Sequence, residues 1–230
     1  MTESRAFYAR AGSAWDDLVT MLHLPYTAWH LSYVAIGAGL ASSLDWMILA
    51  GTLLAFFFGL GIGAHALDEV HDRPLQTGLS NATLWVLGVG GLGAGAAVGV
   101  VGAFVISPLL LVWVVVGLVL AAGYGLEWSP VLHSGWGFAV AWGAFPVLVG
   151  YWAQTETISL AAILAAAAAT VLSRAQRVLS TPARRIRRAD DPVMVEGWTR
   201  DELLSTWERA LLLLSIAMPL IALGLLAGHL

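Results

Sequence analysis

The sequence predicts an all-α protein, a bundle of about seven transmembrane helices, and its composition and its pattern of apolar runs both support this. Hydrophobic residues make up 59% of the 230 residues and charged residues only 11%, whereas about a quarter of the residues of a soluble domain are charged. The mean hydropathy is +0.79. Apolar runs close to the roughly 20 residues that one bilayer crossing needs recur along the chain. These features exclude a disordered protein, a nucleic-acid packaging protein and an ordinary soluble enzyme.

Seven apolar runs define the predicted spans, and residues 1–230 form one integral membrane domain. The runs are Leu24–Ser42, Trp46–Ala66, Ala82–Val105, Ser107–Gly125, Gly135–Ala153, Thr157–Leu172 and Leu204–Gly228. A tight turn at Ser107-Pro108 separates the third run from the fourth. We expect residues 1–23 to form a cytoplasmic amphipathic segment and residues 173–203 to form a cytoplasmic, arginine-rich loop.

The basic residues predict the orientation of the bundle. All 11 of them are Arg, and seven crossings place every one on the same side of the membrane. The positive-inside rule assigns that side to the cytoplasm. We therefore expect a multi-pass plasma-membrane protein with its N-terminus inside and its C-terminus outside. The loops at 67–81, 126–134 and 173–203 then open on one side and can share one site.

Small residues in the third span predict close helix packing. Gly91, Gly95 and Gly99 repeat every four residues, a pattern that lets membrane helices approach each other closely. A literal G-x-G-x-x-G begins at Gly88, but it lies inside an apolar run with no strand before it. Packing is therefore favoured over dinucleotide binding.

The polar stretch at the end of the second span is the most informative part of the sequence. At about 100° per residue, His65, Asp68, Glu69 and Asp72 fall on one helical face, and the proline after Arg73 ends the helix. Three acids at a helix C-terminus repel one another and the helix dipole. A bound Mg²⁺ would relieve both effects. The alternatives are a solvated polar helix end, or a site for Mn, Fe or Zn that uses the histidine.

Two further polar features allow more than one interpretation. The arginine cluster at 184–188 follows Thr181-Pro182, which predicts a new helix with an N-cap and a proline in its first turn. This helix would lie on anionic lipid or bind phosphate. His30, inside the first span, is either a functional residue or part of an interfacial aromatic belt. Thr199 and Glu202 predict a capping box that starts the last helix.

Two stretches carry a resemblance to a known family. The spacing His65-x2-Asp68-x3-Asp72, followed by Arg-Pro-Leu, resembles the first aspartate-rich motif of the UbiA-type intramembrane prenyltransferases. The stretch Gly150–Thr155, which reads Gly-Tyr-Trp-Ala-Gln-Thr, resembles the Gly-Tyr-Tyr-x-Gln-Thr of the dihydroxynaphthoate branch, the menaquinone prenyltransferases. The likeness covers roughly residues 20–180 and implies a UbiA-like helical bundle.

The chain also departs from that family in three ways. The first motif is degenerate, because His65 stands where the family has an aspartate. The second aspartate-rich motif is missing, since no Asp or Glu occurs between Glu156 and Asp190. Family members generally have nine helices, whereas seven are predicted here. Asp190 and Asp191 could replace the missing acids, although their spacing does not support this.

The resemblance implies transfer of a polyprenyl group from its diphosphate to a small aromatic or lipid acceptor. Asp68 and Asp72 would be the catalytic metal ligands, with Glu69 and His65 beside them and Mg²⁺ as the cofactor. The diphosphate would be bound by Arg73, Arg174 and Arg177.

Two other functions remain open. The chain could be a non-catalytic homologue that binds an isoprenoid or quinone lipid or serves a membrane partner, which would explain the lost motif. A solute carrier is less favoured, because the spans show no inverted repeat and no matching pair of broken helices. The expected partners are membrane lipid and isoprenoid diphosphate, with no nucleic acid. The sequence leaves open whether the protein is an active enzyme.

Overall fold

A computed structural model describes residues 6–10, 12–188 and 197–230, except for the side chain of Asp72. All regular elements in this part of the chain are helical. The helices are α1 (Ala14–Met21), α2 (Leu24–Gly39), α3 (Trp46–Phe56), α4 (His65–Asp72), α5 (Asn81–Val105), α6 (Leu110–Gly125), α7 (Gly135–Ala139), α8 (Phe145–Thr155), α9 (Leu160–Arg187) and α10 (Arg200–Ala227). Two π-helical segments, Phe57–Ala64 and Val140–Ala144, join α3 to α4 and α7 to α8.

The prediction of an all-α membrane protein is confirmed at the level of helix length and composition. Five helices are long and apolar enough to cross a membrane, namely Trp46–His71, Asn81–Val105, Gly135–Thr155, Leu160–Arg187 and Arg200–Ala227. A shorter apolar helix, Leu110–Gly125, lies beside them. The remaining long element, α2, packs against α8 and α10 inside the bundle.

Short polar side chains fix where several of these helices begin. The side chains of Ser13, Asp45, Ser80, Ser134, Ser159 and Thr199 each accept a hydrogen bond from a backbone N–H in the first turn of the helix that follows. Such caps satisfy donors that a helix leaves unpaired at its start. The predicted capping box of Thr199 and Glu202 is present, so this prediction is confirmed. The predicted end of the second helix near Arg73 is also confirmed, because α4 ends at Asp72.

Glycines allow the central helices to touch backbone to backbone. A Cβ atom on Gly37 of α2 would lie 2.1 Å from the carbonyl oxygen of Val147 in α8, and one on Gly150 would lie 2.2 Å from the carbonyl oxygen of Val34. The predicted packing role of the glycines in α5 is also confirmed. A Cβ on Gly91 would lie 2.6 Å from the backbone nitrogen of Gly63, in the π-helical segment.

The prediction of a loop over residues 173–203 is wrong for its first half, because α9 continues to Arg187. Thr181 does not cap a new helix, and Pro182 lies inside α9. The physical reason is tertiary packing: Ala183 and Ile186 are buried on this part of the helix, and α9 packs against α10. Packing of an amphipathic face outweighs the single hydrogen bond that the proline removes.

The ends of the helices gather the arginines at one end of the bundle. The helices α4, α6 and α9 end there, and α2, α7 and α10 begin there. We call this the arginine-rich end, since the arginines from Arg10 to Arg209 lie in its loops or in the halves of α9 and α10 that are nearest to it. The opposite end carries the connections at residues 40–45, 106–109 and 156–159.

The contact between α2 and α8 predicts a sharp difference between two glycine substitutions. Gly37→Ala is expected to lower the free energy of unfolding by about 1–3 kcal/mol through overpacking. Gly51→Ala is the control, because nothing lies within 4 Å of its added Cβ and alanine favours the helix. Thermal unfolding in detergent would compare them. Equal melting temperatures of the two variants would contradict the close contact.

Candidate functional site

A polar cavity of about 110 Å³ lies at the arginine-rich end. It is bounded by α2, α4, α6, α7 and α9, and the N-terminal segment covers part of it. The side chains with polar groups in its lining are Tyr8, His23, Tyr26, His30, His65, Asp68, Tyr124, Trp142, Gln176, Arg177, Ser180, Arg184 and Arg187. We refer to it as the polar cavity.

One face of α9 supplies the positive charge of the polar cavity. Arg177, Ser180, Arg184 and Arg187 follow at intervals of three or four residues and therefore share a helical face. The guanidinium of Arg187 pairs with Glu208 of α10. Arg177 and Arg184 form no ion pair with any carboxylate of the described residues. Within the described residues, these two guanidiniums thus face the cavity without a salt bridge, and Asp68 is the carboxylate that lines the cavity with them.

Arg177 is also held by an aromatic ring. Its Cζ atom lies 5.3 Å from the ring centroid of Phe138, within the range of a cation–π contact. Phe138 lines the same cavity from α7. This contact fixes the position of the guanidinium without neutralising its charge.

Two histidines stack on the α2 side of the polar cavity. The rings of His23 and His65 lie 4.4 Å apart at an angle of 22°, and the hydroxyl of Tyr8 lies 3.1 Å from Nδ1 of His23. Burial, with the nearby His65 and Arg184, lowers the pKa of His23 well below its ordinary value. The ring of His23 is therefore neutral near pH 7.

Two buried polar atoms in the cavity wall have no hydrogen-bond partner among the described residues. They are Nε2 of His23 and Oε1 of Gln176. Gln176 is only 3% exposed. A buried polar group left unsatisfied costs about 1–3 kcal/mol, so both atoms point to a polar ligand that would complete their hydrogen bonds.

The predicted polar face from His65 to Asp72 is divided between two environments. His65 and Asp68 line the polar cavity, whereas Glu69 is fully buried and faces the loop after α4. Its carboxylate accepts hydrogen bonds from the backbone N–H groups of Leu75 and Thr77, at 3.0 and 2.8 Å, and from the Thr77 hydroxyl at 2.9 Å. The side chain of Asp72 lies outside the described residues.

Of the three arginines expected at the diphosphate, the structure brings only Arg177 to the cavity. Arg73 lies at the C-terminus of α4 and donates to the carbonyls of Thr77 and Leu79 and to Asn81. Arg174 lies over the ring of Trp136, with its Cζ atom 5.8 Å from the centroid. Arg73 therefore holds a loop, and Arg174 packs against α7. Arg184 and Arg187 line the cavity with Arg177.

The donors around Asp68 fit a magnesium ion poorly. Mg²⁺ prefers several oxygen ligands, but the Glu69 carboxylate is already bonded to the loop. Within the described residues, no three His, Asp or Glu side chains are placed to hold a metal ion. Arg177 and Arg184, which form no salt bridge within the described residues, also face the same cavity and disfavour a second cation. Among the predicted ligands, the structure does not describe the side chain of Asp72, so the predicted Mg²⁺ site depends on it. Asp190 and Asp191, the possible replacements for the missing acids, also lie outside the described residues.

An apolar groove of about 450 Å³ adjoins the polar cavity. It runs between α3, α5, α6 and α8, with residues such as Val114 and Phe145 in its walls. Leu60 and Trp142 line both the groove and the polar cavity, so the two spaces share this wall. Met47, at the far end of the groove, is 79% exposed. The groove therefore reaches the surface of the bundle at its far end.

The stretch Gly150–Thr155 lies at the other end of the bundle. The amide of Gln154 accepts from the backbone N–H of Asp45 at 2.8 Å and donates to its carbonyl at 3.1 Å. These bonds hold the connection between α2 and α3. The tyrosine and tryptophan of the stretch are buried.

Comparisons with protein-family models, with curated proteins and with solved structures found no match for this chain. An arginine-lined polar cavity that shares a wall with an apolar groove suits an amphiphile with an anionic headgroup.

The buried carboxylate of Glu69 yields a prediction about the loop after α4. Glu69→Gln replaces one acceptor oxygen with an N–H₂ group that faces donors, and this should cost about 1.5–3 kcal/mol of stability. We expect faster proteolytic cleavage within residues 74–80. Glu156→Gln is the control, because that side chain is exposed. Equal cleavage rates of the two variants would argue against the loop-holding role.

Proposed function

We propose that this chain is a UbiA-like membrane protein that binds a polyprenyl diphosphate. The headgroup would occupy the polar cavity and the isoprenoid chain the apolar groove. The observation that carries this proposal is that Leu60 and Trp142 line both spaces, which places the groove directly beside the polar cavity. Guanidiniums bind phosphate oxygens through charge-assisted hydrogen bonds. The groove offers the isoprenoid chain surroundings as apolar as the lipid tails that it leaves.

The orientation of the site follows from its charge. We propose seven crossings of the plasma membrane, with the arginine-rich end and the N-terminus in the cytoplasm and the C-terminus outside. The positive-inside rule supports this assignment. The headgroup would then enter the polar cavity from the cytoplasmic leaflet.

Prenyl transfer is a second candidate function, and the polar groups beside the arginines favour it. Asp68 and His30 line the same cavity as Arg177 and Arg184. Nδ1 of His30 lies 2.9 Å from the carbonyl oxygen of Trp142. With Nδ1–H as the donor in that bond, Nε2 is a hydrogen-bond acceptor.

The transfer would break the bond between C1 of the prenyl group and the diphosphate oxygen. C1 would bond to a small aromatic or lipid acceptor, and the acceptor would lose its proton to Asp68. The diphosphate would leave with its negative charge facing Arg177 and Arg184. Pre-placed positive charge of this kind stabilises a leaving group as its charge develops.

A groove-filling substitution tests the proposed function. Gly59 lines the groove and has nothing within 4 Å of an added Cβ. The ring in a Gly59→Phe variant should therefore occupy the part of the groove that the isoprenoid chain would fill. We expect the affinity for a long-chain polyprenyl diphosphate to fall about tenfold or more, which corresponds to about 1.4 kcal/mol. Gly90→Phe is the matched control, because its Cβ is equally unobstructed but lies outside the groove.

The same samples separate binding from transfer. Release of diphosphate after addition of a naphthoate or benzoate acceptor would support the transferase, and binding without release would support the non-catalytic homologue. Equal affinities of the Gly59→Phe and Gly90→Phe variants, or no binding by the unmodified protein, would contradict the proposed function.

A further inference from the structure

The charges in the polar cavity do not match those of a metal-bridged diphosphate site. Such a site gathers carboxylates around the metal ion and leaves the anion to the metal. Here Asp68 is the one carboxylate of the described residues that lines the cavity, while Arg177, Arg184 and Arg187 line it from α9. Arg187 is already paired with Glu208. Arg177 and Arg184 carry the remaining positive charge, two guanidiniums against the one carboxylate of Asp68.

We propose that Arg177 and Arg184 bind the phosphate headgroup directly, so that the protein holds its lipid without a divalent metal ion. The inference rests on the proposed function, and it specifies how the headgroup is recognised. A guanidinium presents five N–H donors in a planar fork that matches phosphate oxygens in pairs. Because this recognition needs only phosphate oxygens, the site takes a polyprenyl monophosphate as well as a diphosphate.

The spacing of the two arginines suits an anion between them. They are seven residues apart on α9, about 10.5 Å along the helix axis, and they share one face. Ser180 lies between them and also lines the cavity. Phe138 holds Arg177 from one side, and the pair of Arg187 with Glu208 ties the end of α9 to α10. An anion thus meets two guanidiniums on a helix that is already fixed.

The unpartnered atoms of the wall provide the second line of evidence. Nε2 of His23 and Oε1 of Gln176 are buried in the cavity lining without partners in the described part of the chain. When the hydroxyl of Tyr8 donates to Nδ1 of His23, the hydrogen of the ring lies on Nε2 and is a free donor for a phosphate oxygen. A half-turn of the Gln176 amide presents N–H donors in the same place. Both groups complement an oxyanion.

The test is binding of a labelled polyprenyl diphosphate and a labelled polyprenyl monophosphate to the full chain in lipid nanodiscs, each with Mg²⁺ and with EDTA. We expect the Kd of each lipid to be the same in both conditions. Arg177→Gln and Arg184→Gln should each weaken binding about 10-fold to 100-fold, the range for a lost hydrogen bond to a charged group. Arg185→Gln is the matched control, because Arg185 is exposed and does not line the cavity.

Two additions make the outcomes distinct. Inorganic diphosphate as a competitor shows whether the headgroup alone is recognised, and we expect it to compete weakly because it lacks the chain. Arg184→Lys keeps the charge but loses the fork, and it should bind more weakly than the unmodified protein and more tightly than Arg184→Gln. Thermal unfolding of each variant identifies any loss of folding, and the comparison of Mg²⁺ with EDTA on the unmodified protein needs no variant.

Each result then has one meaning. Binding that requires Mg²⁺, or equal binding by the Arg184→Gln and Arg185→Gln variants, overturns the metal-free inference while the proposed function stands. Absence of lipid binding in both conditions overturns the proposed function itself. Binding in EDTA that is lost in both glutamine variants supports the direct recognition of phosphate.

Discussion

The continuity of α9 is the constraint on which the site depends. Arg177, Arg184 and Arg187 meet the same cavity only because one helix runs unbroken through Pro182 to Arg187. Burial of Ala183 and Ile186 and the ion pair with Glu208 hold this part of the helix in the bundle. If α9 ended at Pro182, Arg184 and Arg187 would lie on the surface, where anionic lipid headgroups and water would screen their charges.

The helices around α9 supply the remaining walls through close backbone contacts. The glycines at 37 and 150 bring α2 and α8 together, and the start of α2 presents its histidines to the cavity. The π-helical segments contribute Leu60 and Trp142, which line both spaces. A π-helical turn changes the direction of the side chains that follow it and is frequently found at functional sites. The wall shared by the polar and the apolar space is therefore built where the helices depart from regular geometry.

Features that depend on local sequence could be predicted, and features that depend on tertiary packing could not. Apolar runs, the cap at Thr199 and the end of α4 are local, and the structure has them. The environment of each residue on the polar face of α4 could not be predicted from local sequence. Glu69 lies only about 40° around the helix from His65, yet its side chain contacts the following loop and not the polar cavity. The polar face of α9 could have been predicted from the spacing of three and four residues between Arg177 and Arg187. It was missed because Pro182 was interpreted as the start of a new helix, whereas it lies inside α9.

The most direct test of the central claim, an amphiphile that spans the polar cavity and the apolar groove, is photocrosslinking with two polyprenyl diphosphate analogues. One carries its photoreactive group at the end of the chain and the other next to the diphosphate. We expect adducts of the first analogue on groove residues such as Trp113, Val114 and Phe145, and adducts of the second on α9, both suppressed by unlabelled lipid. Adducts of the chain-end probe on lipid-facing residues such as Leu223, which is 61% exposed, with no suppression, would contradict it.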